Sequence, residues 1–291
     1  MVDGALRYND PTMPFDRITL FCFQASYAVA LSLELVQLVQ PRPVLRLLSL
    51  GFGWAGFLAH TLYLAAQGPP LASQYGSTLF LAWILAIFYL YGSVHHKKLA
   101  WGVFVLPLVF GLTSFASLFG KPDSGSGDSW WARLFAVQSD NMRLWLVLHI
   151  TLLLLASVGV CVGFLASVMY LVQAQRLKAK MRPAPGMQLL SLERLEAMNR
   201  RALNLAFPLL TIGMLIGLAL MRQGVQSGLI EGWTDPRVLS ALGLWLVFAI
   251  LLYLRYGFHV RGKRVAYLTL VAFPLLLLTL AIAHNPGGGG P

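Results

Sequence analysis

The sequence predicts an all-α polytopic membrane protein, a bundle of about eight transmembrane helices with both termini outside the cytoplasm. Three observations carry that prediction. Of 291 residues, 57% are hydrophobic and only 11% charged, against roughly 25% charged in an ordinary soluble domain. The apolar residues collect into runs of about 20, the length that crosses a hydrocarbon core. The basic residues fall on alternate connections between those runs. A soluble fold of this size could not hide so much apolar surface, and the hydrophobicity excludes disorder. Cys22 and Cys161 are the only thiols and both lie in apolar runs, so a disulfide scaffold is excluded as well.

Eight windows qualify as spans: 18–39, 47–66, 78–94, 99–119, 144–173, 202–221, 238–256 and 265–284. Asp3, Asp10 and Asp16 precede the first. That is the wrong charge for a signal n-region, so the first run is expected to stay as a span. The third is short and ends in Ser93, His95 and His96. The fifth would reach about 45 Å and must tilt or project beyond the bilayer. Spans five and six carry Gly159-x-x-x-Gly163 and Gly213-x-x-x-Gly217, small faces that let helices approach closely and indicate packing, not chemistry. Between these spans, Pro183, Pro185 and Gly186 precede the amphipathic stretch Ser191 to Arg201. It reads as a short helix leading into span six, its basic face against anionic headgroups. No long internal repeat is visible, and Gly287 to Gly290 is low-complexity.

The charges choose the orientation. The connections 40–46, 92–98, 174–201 and 255–264 hold 15 of the 22 Lys and Arg residues, and the other set holds 7. Eight of the 11 acidic residues lie in that other set. The positive-inside rule puts loop 174–201 in the cytoplasm, and loop 222–237 and both termini outside. The net charge of +11 is therefore a topological signal directed at the bilayer, and no nucleic-acid partner is expected. A bacterial inner membrane is the expected location.

Polar residues inside a membrane are costly, so each asks for a reason. His95, His96 and His259 fall in cytoplasmic connections beside Lys97, Lys98 and Arg261. His60, His149 and His284 instead all lie in the outer third of their spans on the derived orientation. Two readings stay open. The three are unrelated histidines bonded to serines, carbonyls or interfacial water, or they serve a cofactor. Imidazole binds metals and carries protons. There is no H-E-x-x-H and no paired Cys/His spacing for zinc. A flat apolar cofactor with a charged edge fits better: haem takes axial imidazoles, an aromatic wall and cations near its propionates. The outer connections supply Trp130, Trp131, Trp145, Trp233, Arg143, Arg222 and Arg237. Walker, G-x-S-x-G and C-x-x-C-H patterns are missing. Glu34 is expected to snorkel or to pair with Arg42 or Arg46.

Four stretches resemble a known family. They are Gly68-Pro-Pro-Leu-Ala-Ser-Gln-Tyr-Gly-Ser-Thr-Leu-Phe-Leu-Ala-Trp83; Gln138-Ser139 with Trp145-Leu-Val-Leu-His149 and the long helix to Lys178; Leu192 to Gly217 with Ala206-Phe-Pro-Leu-Leu-Thr-Ile-Gly213; and Gly232-Trp-Thr-Asp-Pro236 with Trp245 and Gly257 to Ala266. In order and spacing they resemble the cytochrome c assembly proteins of the CcsA and HemX type. That resemblance implies an outer haem b site in which a tryptophan-bearing Trp-Asp-Pro loop lies between two histidines. Those positions fall on His149 and His284 as iron ligands and on Trp233, Asp235 and Pro236 as the loop. Arg237 or Arg222 would stand near the propionates.

The chain also departs from the family. One tryptophan precedes Asp235, where the family has several. Pro69 and Arg255 stand where some members have histidines, and His60 is an imperfect substitute. These departures place the chain nearer the HemX-like branch. The resemblance implies a haem-handling protein that is not itself a catalyst, with apocytochrome c and a membrane partner of the cytochrome c assembly system. The alternative is a HemX-like regulator of tetrapyrrole synthesis acting on glutamyl-tRNA reductase.

Overall fold

The computed structural model describes residues 19–67, 73–95, 100–119, 141–180, 188–226, 234–258 and 262–282. They form α1 (Leu20–Val39), α2 (Pro43–Gln67), α3 (Gln74–His95), α4 (Gly102–Phe119), α5 (Asn141–Lys178), α6 (Leu192–Gln226), α7 (Pro236–Gly257) and α8 (Lys263–Ile282). All eight are long and apolar enough to cross a membrane. Their outward faces carry residues such as Phe21, Leu215 and Val271, each more than half exposed. Such a surface suits acyl chains and not water.

The helices start where the sequence frees the backbone from bonding. Pro43 and Pro236 occupy the first helical position of α2 and α7, where a missing N–H costs nothing. Ser191 caps α6, its Oγ accepting the Arg194 N–H at 3.4 Å. Two helices run well past the hydropathy windows. α5 continues to Lys178, and α6 begins at Leu192 with no break before the span. Hydropathy fades at the first charges, but Arg, Glu, Met and Ala remain good helix formers, and Leu195 and Asn199 bury themselves against neighbours. The connection expected over 174–201 therefore reduces to 179–191, and that over 222–237 to 227–235.

The chain packs as two four-helix units, α1–α4 and α5–α8, with the same neighbour relations in each. In the first unit Trp83 Nε1 donates to Thr61 Oγ1 at 2.9 Å, Thr61 bonds the Phe57 carbonyl, and Phe57 stacks on Trp83. In the second, Trp245 Nε1 donates to Thr211 Oγ1 at 2.9 Å, Thr211 bonds the Phe207 carbonyl, and Phe207 stacks on Trp245. A second correspondence lies two to three turns away. Ser49 Oγ reaches the Ala30 carbonyl and Glu34 Oε1, while Asn199 Nδ2 reaches the Gly163 carbonyl and Ser167 Oγ. A third sets Arg46, bonded to the Ser93 carbonyl, against Glu196, paired with Arg255. Only the Phe, Thr and Trp of the first correspondence keep their residue type; elsewhere the matching residues differ, Ser for Asn, Glu for Ser and Arg for Glu, so no long repeat is visible in the sequence. What recurs is which helices meet at each level. Glu34 feels the charge of Arg46, as expected, and takes its hydrogen bond from Ser49, while Arg46 itself donates to the Ser93 carbonyl.

Asn199 is the node of the second unit. Its two amide protons are shared among the Gly163 carbonyl, Ser167 Oγ and Thr269 Oγ1 on α5 and α8, and its Oδ1 accepts from Arg255 Nη1 on α7 at 3.0 Å. Beside it, Gly159 lets α6 press against α5: a Cβ there would lie 2.7 Å from Ala206 Cβ and 3.1 Å from the Ala202 carbonyl oxygen. The two units meet through α3, α4, α5 and α8. An apolar groove of about 440 Å³ runs along that seam between Phe104, Pro107, Phe115, Phe164 and Phe273.

The α1 start, α2 end, α5 start, α6 end and α7 start share one end of the bundle, here the leading end. Gly159→Leu is expected to lower the thermal midpoint of the detergent-purified protein sharply, since overpacking costs about 1–3 kcal/mol or more. Gly243→Ala, with nothing within 4 Å of its Cβ, should leave the midpoint unchanged or raise it. Equal midpoints for the two variants would contradict the packing described.

Candidate functional site

His149 lies about 12 Å along α5 from its start at the leading end. Its Nδ1 is 2.6 Å from the backbone oxygen of Gly213 on α6. A carbonyl oxygen only accepts, so Nδ1 carries the proton and the neutral ring keeps its lone pair on Nε2. A histidine whose second nitrogen is fixed this way is oriented as a metal ligand.

The seat for this ring is the face read from sequence as a packing motif. A Cβ on Gly217 would lie 2.5 Å from His149 Cε1 and 3.1 Å from Nδ1. At Gly213 it would press on Leu153 at 2.9 Å. The glycine pair thus admits both the packing leucine and the imidazole. Gly217 and the Gly213 carbonyl are positions of the candidate site that sequence reading missed. The signal was present: a small-xxx-small face in the helix that follows a lone intramembrane histidine.

Asp235 is buried, and its backbone carbonyl accepts the Val238 and Leu239 N–H groups at 3.0 and 3.1 Å. It ends the connection from α6 and starts α7, with the exposed Pro236 next. Asp235 and Pro236 thus open α7 at the leading end of the unit that carries His149. The backbone of Arg237 lies in the first turn of α7. Trp233 and His284, together with Trp130 and Trp131, lie outside the described residues, as do the side chains of Arg143, Arg222 and Arg237. Trp145, one turn before His149, is about half exposed.

His60 belongs to the first unit. It is fully buried, its ring stacked on Phe23 at 4.2 Å, with Nδ1 3.4 Å from the Tyr27 hydroxyl. Its ring contacts lie on α1, whereas those of His149 lie on α6. The structure does not gather the two histidines into one site.

A family model described as cytochrome C assembly protein matches residues 71–283. Similar proteins include the cytochrome c biogenesis protein CcsA of Chlamydomonas reinhardtii, 29% identical over 207 residues, covering 70% of this chain and 55% of that one. CcsA of Guillardia theta is 29% identical, with 70% and 69% covered. CcsA of Synechococcus sp. (strain JA-3-3Ab) is 28% identical over 292 residues, with 79% and 81% covered. The chain therefore spans little more than half the length of the Chlamydomonas protein. No solved structure matches it.

Nitrogen-15 NMR of histidine-labelled protein is expected to show His149 as the Nδ1–H tautomer, and Gly217→Ala to abolish that signal. A wild-type ring protonated on Nε2 instead would refute the assignment.

Proposed function

Because the chain belongs to the cytochrome c assembly protein family, we propose that it handles haem during cytochrome c maturation, holding haem b near the outer face and presenting it to apocytochrome c. It is an integral, multi-pass membrane protein. The distribution of basic residues supports a leading end that faces outward from a bacterial cytoplasmic membrane.

One observation carries the reading: His149 is fixed by the Gly213 carbonyl so that Nε2 is left with a lone pair. That is the form an iron-binding imidazole takes, and its hydrogen-bonded second nitrogen raises its basicity as a ligand. The donor chemistry of the site thus fits the cofactor. When bound, haem supplies an iron with axial positions and an acidic propionate edge. His149 and His284 would hold the iron. The Trp233–Pro236 segment, anchored by Asp235, would cover the ring, with Arg237 or Arg222 neutralising the propionates. The protein's task is to bind, orient and release, not to catalyse. An exported apocytochrome c and a membrane partner of the assembly system complete the set. The relatives named above carry a biogenesis name, which supports assembly over a regulatory role.

Protein purified after haem-replete expression should show a Soret band. His149→Ala and His284→Ala should lower haem per protein about tenfold or more, and Gly217→Ala should do the same by displacing the imidazole. His60→Leu should leave the band in place, and chromosomal deletion should abolish c-type cytochromes. Haem-free wild type, or full Soret intensity in His149→Ala, would refute the proposal.

A further inference from the structure

Three buried side-chain atoms have no hydrogen-bond partner among the described residues: His60 Nε2, Gln74 Nε2 and Thr78 Oγ1. All three lie toward the leading end of the first unit, on α2 and α3. Gln74 and Thr78 stand one turn apart on α3, and both are at least nine-tenths buried. Tyr63 and Tyr75 link the same two helices through a 2.5 Å hydroxyl contact, and Phe23 packs on both His60 and Tyr63. Inside a membrane an unbonded polar group is costly, and such groups mark ligand sites.

The hydrogen-bonding character of the set is legible. The Tyr27 hydroxyl is fully buried, and its hydrogen-bond contact is His60 Nδ1. Donating there satisfies the hydroxyl, makes Nδ1 an acceptor and puts the ring proton on Nε2. The Gln74 amide nitrogen only donates, and the Thr78 hydroxyl can donate. The set therefore offers donors from two helices beside the Phe23, Tyr27 and Tyr63 rings. It lacks the free imidazole lone pair that iron would require.

The four-helix repeat gives this place a counterpart. Ser73 starts α3 by accepting the Gly76 N–H on Oγ and the Ser77 N–H on its carbonyl, as Asp235 starts α7. Gln74 thus opens α3 in the first unit as Pro236 opens α7 in the second.

We propose that His60, Gln74 and Thr78 form a second ligand site, for the carbonyl-bearing ring of a membrane-dissolved quinone. A quinone head group is planar and apolar, with an oxygen acceptor on each of two opposite edges. It answers donors that approach from α2 and α3 while its faces meet the aromatic wall. This site is independent of the haem reading of His149.

The test uses the full chain in lipid nanodiscs, titrated separately with a one-isoprene ubiquinone and with iron protoporphyrin IX. Saturable quinone binding is expected. It should weaken at least tenfold in the near-isosteric double variant Gln74→Leu/Thr78→Val and in His60→Leu, and persist in His149→Ala. The thermal midpoint of the double variant reports folding and should be unchanged or raised, since two unbonded polar groups have gone. In a folded protein, absence of saturable quinone binding would mean a pocket holding water only and would overturn the proposal. So would quinone affinity indifferent to the double variant, or a protoporphyrin Soret shift that depends on His60.

Discussion

In hydrocarbon, the only hydrogen-bond partners are those the protein brings with it. That constraint sorts the intramembrane polar residues of this chain into three states. Asn199 is fully engaged, its two amide protons shared among three acceptors and its oxygen accepting from Arg255, and it ties α6 to α5, α7 and α8. His149 is half engaged, one nitrogen committed to Gly213 and the other left over. His60 Nε2, Gln74 and Thr78 are unengaged at the atoms named. The first state holds helices together, and the other two leave hydrogen-bonding capacity unused.

The same reasoning separates two histidines that look alike in the sequence. His149 faces a carbonyl, which cannot donate, so its outward nitrogen becomes a base. His60 faces a hydroxyl whose own proton needs an acceptor, so its outward nitrogen becomes an acid. One turns a lone pair outward, the other an N–H. Neither outcome follows from burial or from distance to the membrane surface; each follows from the single partner opposite Nδ1.

Much of the fold was legible because a membrane helix announces itself by length and composition alone. The eight runs, the extended fifth helix and the amphipathic lead into α6 all follow from hydropathy and capping. Helix ends were less legible. Charged residues stop a hydropathy window, yet Leu195 and Asn199 continue the helix through contacts that are distant in sequence. His149 and the glycine face were each visible, but their meeting was not, since it depends on the register between α5 and α6. The repeat was hidden for a related reason: Ser49 and Asn199 do the same work with different atoms, so only the contacts reveal it.

Gly217 shows how packing and chemistry become one requirement. A glycine in a helix interior costs about 1 kcal/mol relative to alanine. In α6 that cost is offset by close approach to α5, which any small residue would partly provide. The imidazole is more demanding. With a Cβ at 217 only 2.5 Å from Cε1, even alanine would push the ring away from the Gly213 carbonyl and free Nδ1 to lose its proton to Nε2. The glycine therefore does more than let two helices touch. By leaving the ring room to reach one particular backbone oxygen, it sets which nitrogen of His149 faces outward with a lone pair, and so what the site can hold.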